Sequence, residues 1–427
     1  MTDAAPTPKP ISPDTPTGHP ISWALYLGCS WTWVIGMFFP ALLLRDYGLA
    51  GYLTFALPNV IGAAAMGYVL TNAAAARRLA TEHRAAVRAF SWWTIAFHLF
   101  ALPWLIEGVL ITGPGAGRGL GLAMLVPLVL GALAIVTGGR WRSVLALCAA
   151  TAGVSWAIAI VYLTTLETSP AEIAPRLSST DLLFFAAPNL LGFFLCPYLD
   201  ATFLRARAST SPVGGRVAFT LGFGVVFASM IVFAAIYGRT ILEGLWTDSI
   251  VYAGSTQLAL VALFIAVQGS LTVALHAREL RRPIEPNDAP QATPNSHPLA
   301  QPLVISLLAA SAIAGIVFAL THGEATRIMP PAELVYRTFL TAYGVVIPAY
   351  VWVCIWPAMP NATRDNDPAA LANFRKRRLI AFYVASALAY PVALIGFTTG
   401  PSWLLLVCAA IVTLGRLPAG LPRWIIK

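Results

Sequence analysis

Apolar residues gather in twelve blocks, near 21–44, 49–72, 89–113, 118–138, 143–166, 181–204, 214–238, 249–276, 299–321, 333–357, 378–398 and 400–415. A helix needs about 20 apolar residues to cross the hydrocarbon core of a bilayer, and most of the blocks reach that length. Short polar connections separate them, so the pattern predicts an all-α polytopic membrane protein with about 12 transmembrane helices. No connection is long enough to fold into a soluble domain. Residues 1–20 hold Pro6, Pro8, Pro10, Pro13, Pro16 and Pro20 among few apolar residues, which predicts a disordered tail with neither the basic start nor the apolar stretch of a signal peptide. A second proline-rich stretch, 283–299, reads as a flexible linker.

Composition removes the soluble alternative. Hydrophobic residues make up 58% of the 427 and charged residues only 11%, against roughly a quarter in soluble domains. The net charge of +9 would raise nucleic-acid binding in a soluble protein, but here topology accounts for it. Counted over alternate connections, 21 Lys and Arg fall on one side and 5 on the other, with Arg337 just inside the tenth block. Basic residues collect on the cytoplasmic side, so both termini are expected there, with the lipid bilayer as the partner and no nucleic acid. The Arg- and Ala-rich composition, with only Lys9, Lys376 and Lys427, suggests a high-GC bacterium and hence a bacterial cytoplasmic (inner) membrane.

Few residues carry chemistry. Cys29, Cys148, Cys196, Cys354 and Cys408 lie in apolar blocks without a CxxC pair and read as small buried hydrophobes. Glu107 and Asp200 fall near membrane interfaces, as anchors or, for Asp200 with Arg205 one turn onward, as a cytoplasmic gate or cation path. His98 falls near mid-membrane, either as a structural histidine or as a relay or ligand-binding group. Gly and Pro interrupt two blocks: Gly28, Gly36 and Pro40 in the first, Pro188, Gly192 and Pro197 in the sixth. A proline removes a backbone donor, so carbonyls near Trp33, Gly36 and residues 191–193 are expected to face a cavity, and paired broken helices point to a transporter's central site. One internal similarity stands out, FALPNVIG at 55–62 against FAAPNLLG at 185–192, either a true repeat or shared helix-breaking chemistry.

The stretch from Trp31, WTWVIGMFFPALLLRDYGLAGYLTFALPNVIGAAAMGYVL, resembles the opening of sodium/solute symporters in Gly36, Pro40, Tyr47, Gly48, Gly62 and Gly67. PYLDATFLRARAST, which ends the sixth block, is similar to that family's sixth core helix. Ser255 and Thr256 stand where the family places sodium-binding hydroxyls. The resemblance implies the leucine-transporter-type fold: a bundle of five helices over 21–166, five inverted helices over 181–357, and two more within 375–427. It also implies a sodium site between the carbonyls of Trp33 and Gly36 and the hydroxyls of Ser255 and Thr256, with no other cofactor.

The leading expectation is a secondary active transporter, not an enzyme, that moves a small neutral or zwitterionic solute by alternating access. Ser30, Trp33, Gly36, His98 and Asn189 would contact the solute, and Asp200 with Arg205 would form a gate. The alternatives are a transferase acting on a lipid-linked substrate, which would need carboxylates such as Glu107 or Asp46, and a non-transporting sensor on a transporter fold.

Overall fold

The computed structural model describes residues 18–111, 119–165, 175–246, 255–281, 300–321, 331–356 and 368–417. Residues 1–17, the linker 283–299 and the end of the chain from 418 lie outside them. Every regular element among the described residues is helical, and ten helices are long and apolar enough to cross a membrane. The protein is an all-α, multi-pass membrane protein.

Helix α1 (Pro20–Trp31) begins with proline, at the one helical position where its missing N–H costs nothing. Two non-helical residues separate it from α2 (Val34–Val69). Within α2 the backbone turns at Gly48, at φ 67° and ψ −157°, a region essentially closed to residues with a Cβ. The chain folds back there: the rings of Phe39 and Phe55 stand 5.6 Å apart, although sixteen residues of straight helix would span about 24 Å. A short amphipathic helix, α3 (Ala73–Glu82), leads into α4 (Arg84–Pro103), which continues as a wider π turn over Trp104–Ile111. That turn begins directly after Pro103, which lacks the donor to close the α ladder.

Helices α5 (Leu120–Gly138) and α6 (Trp141–Thr164) precede α7 (Ser179–Leu195). A tight turn over Cys196–Leu199 and an extended Asp200 then separate α7 from α8 (Ala201–Ala208). A single rod comprises α9 (Pro212–Leu221), a π turn and α10 (Ala228–Trp246). Next come α11 (Ser255–Arg281), α12 (Ala300–Thr321), a rod of α13 (Pro331–Thr341) and α14 (Ile347–Tyr350) ending at Ile355, α15 (Pro368–Thr398) and α16 (Trp403–Leu414).

Burial sorts the helices into a centre and a rim. In the most apolar stretches of α4 and α11, 78% and 72% of residues are buried, but only 17% in α12. Leu303, Ile305 and Ile313 of α12 are exposed, and such a continuous apolar face has a stable partner only in lipid.

One buried ionic cluster joins the first half of α2 to α13. Arg45 donates Nε to Asp46 Oδ1 at 2.6 Å and Nη2 to Glu333 Oε1 at 2.7 Å. Arg337 donates Nη2 to Asp46 Oδ2 at 2.6 Å, Nε to Glu333 Oε1 at 2.9 Å, and Nη1 to the Phe397 carbonyl at 2.9 Å. Two positive and two negative groups thus cancel inside the protein. Removing one member of such a set leaves an uncompensated buried charge, at a cost of about 3–5 kcal/mol. Glu333→Gln is therefore expected to lower the thermal unfolding midpoint of the detergent-solubilised protein, whereas the exposed Glu82→Gln leaves it within error; equal midpoints for the two variants would refute the assignment.

Candidate functional site

The interruption between α1 and α2 lies at Thr32 (ψ 72°) and Trp33 (ψ 172°). It falls beside Trp33, one of the expected weak points, whereas the helices run unbroken through Pro40, Pro58 and Pro188. The break is closed by bonds on both sides. The Trp33 amide donates to the Trp31 carbonyl at 2.9 Å and its indole Nε1 to Ser30 O. The Thr32 hydroxyl donates to Gly28 O at 2.7 Å and the Ser30 hydroxyl to Leu27 O at 3.0 Å. Past the break, Val34 donates its amide to His98 Nε2 at 3.4 Å and accepts from the Tyr336 hydroxyl at 2.9 Å.

These bonds correct the expectation of freed carbonyls near Trp33. The carbonyls of Leu27, Gly28, Ser30, Trp31 and Trp33 all accept hydrogen bonds within the protein, the last from the Met37 amide at 2.9 Å. Gly36 differs in that its carbonyl has lost its usual helical donor to Pro40. His98 has the structural role: its Nδ1 lies 2.8 Å from the Thr94 carbonyl, an acceptor only, so Nδ1 carries the proton and Nε2 is left to cap α2. Ser30 and His98 are fully buried within the break, and neither lines the cavity.

The second interruption falls at Asp200, after the turn that contains Pro197. Asp200 Oδ1 caps α8, accepting from the Thr202 amide and hydroxyl, each at 2.7 Å. The same hydroxyl lies 3.0 Å from Ser30 Oγ, so the two breaks touch. Asp200 is fully buried, and among the described residues its Oδ2 has no hydrogen-bond partner. Arg205 turns to Glu279 of α11, with Nη2 to Oε2 at 2.8 Å.

Beside the breaks lies a cavity, with about 740 Å³ of empty space counting its mouth. Trp31, Trp33, Gly36 and Phe39 form one wall, Asn59 a second, and Phe185, Asn189 and Gly192 of α7 a third; Tyr343 and Phe397 complete it. No charged side chain lines it. Of the five expected solute contacts it brings together Trp33, Gly36 and Asn189. Sequence reasoning missed Trp31, Asn59 and Tyr343, although Asn59 stands in the FALPN motif as Asn189 stands in FAAPN. It also placed His276 at the end of a block, whereas α11 extends to Arg281 and buries that ring 5.6 Å from Trp33.

The expected sodium hydroxyls lie elsewhere. Ser255 and Thr256 begin α11, and Thr256 is exposed. His276, which packs on Trp33 at the break, is twenty residues further along, about 30 Å by the helical rise. Glu107 is not an interfacial anchor in the sense expected but a cap for α5: its Oε2 accepts from the amides of Gly121 at 2.5 Å and Leu122 at 3.2 Å, and Oε1 from Gly119. An acid suits that position because unpaired amides and the helix dipole are positive there.

No model of a known protein family matches the chain, and no curated protein matches it in sequence.

If His98 serves the break rather than a ligand, His98→Ala leaves the Val34 amide unpaired in a dry interior, which costs about 1–3 kcal/mol. The expected result is a lower unfolding midpoint that changes little between pH 6 and pH 8. A midpoint equal to that of the parent protein would contradict the capping role.

Proposed function

We propose that the protein is a secondary active transporter of the bacterial cytoplasmic membrane, moving a small uncharged solute by alternating access. The observation that carries this reading is the uncharged, aromatic cavity set against two adjacent helix interruptions. Interrupted helices are the recurrent way in which transporters place a binding site in mid-membrane. An apolar cavity with a few polar groups is the usual form of a small-molecule site.

In this reading the chain crosses the membrane twelve times with both termini cytoplasmic. The first crossing is α1 with the first half of α2, the second is the rest of α2, and the sixth is α7 with α8. The sodium/solute symporter resemblance and the five-plus-five inverted arrangement belong to the same proposal. A zwitterionic solute fits less well, because no lining residue would compensate its charges. The coupling ion, sodium or proton, is assigned to Asp200, whose Oδ2 lacks a partner where the two interrupted helices touch.

The transferase reading draws no support from its carboxylates: Glu107 is engaged in capping and Asp46 is bound by two arginines.

The test is solute uptake by proteoliposomes under an imposed sodium or proton gradient. Asp200→Asn is expected to abolish the gradient dependence while leaving solute exchange across the membrane intact. Uptake that responds to the gradient equally in the variant would remove Asp200 from coupling, and no flux of any solute would refute the carrier itself.

A further inference from the structure

The FALPN and FAAPN motifs, which helix breaking does not explain, supply the chemistry of the cavity. Pro58 lacks an amide proton, so the Thr54 carbonyl one turn earlier loses its helical donor; Asn189 Nδ2 donates to that carbonyl at 2.7 Å. Asn59 Oδ1 accepts from Trp31 Nε1 at 2.6 Å. Both amide orientations are fixed by these partners, since a backbone carbonyl can only accept and an indole N–H can only donate. Asn59 therefore presents its NH₂ group for a ligand and Asn189 its carbonyl oxygen, and both residues line the cavity.

The other donors on the lining are spent. Trp33 Nε1 donates to Ser30 O and the Thr341 hydroxyl to Arg337 O. The Tyr343 hydroxyl lies 2.9 Å from Thr94 Oγ1, whose own proton goes to Phe90 O. Cys196 Sγ donates to Tyr343 O. What remains on the lining side chains is the NH₂ group of Asn59, the second N–H of Asn189 and the carbonyl oxygen of Asn189, among the faces of Trp31, Trp33, Phe39 and Tyr343 and with no charge.

We infer that the solute is an uncharged, flat nitrogen heterocycle bearing at least one ring carbonyl and one ring N–H, a cyclic amide or imide. Its carbonyl accepts from Asn59 Nδ2, its N–H donates to Asn189 Oδ1, and the ring packs against the aromatic walls. The inference rests on the reading of this cavity as the solute site and narrows it to one chemical class.

The experiment is calorimetric titration of the purified full-length protein in detergent with uracil, hydantoin and hypoxanthine, alongside 1,3-dimethyluracil and L-leucine. At least one of the three cyclic amides is expected to bind. Uracil, if it binds, should exceed 1,3-dimethyluracil, which has no N–H, by about tenfold or more, the usual consequence of leaving a buried polar group unpaired. Asn59→Asp keeps the acceptor for Trp31 but loses the donor to the solute. It should weaken the binding amide by a similar factor, and it lowers the unfolding midpoint as well because it puts an unpaired carboxylate into the interior, so the affinity is measured below that midpoint. Failure of all three amides to bind, equal binding of the dimethyl analogue, or unchanged affinity in Asn59→Asp overturns the inference. Binding without uptake into vesicles would sink the carrier reading alone, and uptake of leucine without amide binding would sink this inference alone.

Discussion

A polypeptide in hydrocarbon has no water to satisfy an unpaired backbone group, so every interruption of a spanning helix requires a specific partner from elsewhere in the bundle. That constraint organises the interior. His98 and Tyr336 hold the amide and carbonyl of Val34, Trp33 and Thr32 turn back onto the end of α1, and Asp200 caps α8. Asn189 takes the carbonyl that Pro58 releases. The open space beside the breaks exists because these side chains make the breaks affordable without water.

The same reasoning explains where charge is found. A lone ion in a low-dielectric interior is far more costly than a paired one, and two neutral sets answer that cost, Arg45 and Arg337 with Asp46 and Glu333, and Arg205 with Glu279, while Arg207, Arg278 and Arg378 donate to backbone carbonyls. Among the described residues the cavity lining carries no charge, which leaves hydrogen-bond geometry and ring contacts as the interactions it offers. Asp200 differs from these groups, being buried at the junction of the two breaks with one oxygen unmatched. Polar valence left over in such a place is what a mobile ion can use.

The ionic quartet also links the break to the cavity wall. Arg337 binds the carbonyl of Phe397 and lies over its ring, at 4.5 Å from the centroid. Phe397 lines the cavity, and Tyr336, its neighbour in α13, bonds the break itself. The rod that begins with α13 thus touches the interruption, the ion cluster and the site together, so displacing it would alter all three.

Membrane character and helical class were legible in the sequence, because lipid selects on composition over some twenty residues and a block of apolar residues reveals itself without knowledge of its neighbours. Trp33, Gly36 and Asn189 were legible for a similar local reason: each stands beside a helix-breaking pattern. Pro197 marked the second break, but which of the other prolines would part a helix was not legible, since proline only removes a donor, and whether the helix then parts depends on what is near enough to replace it. Pro40, Pro58 and Pro188 stay within continuous helix, whereas Thr32 and Trp33, with no proline, do not. The partners that decide this are remote: His98 is 64 residues from Val34, Asn189 is 135 from Thr54, and Glu333 is 288 from Arg45. Chain order alone thus determined a helical membrane protein with a few weak points, and only the packing of distant helices decided which of them opened, which ions cancelled and which two amide groups were left facing the cavity.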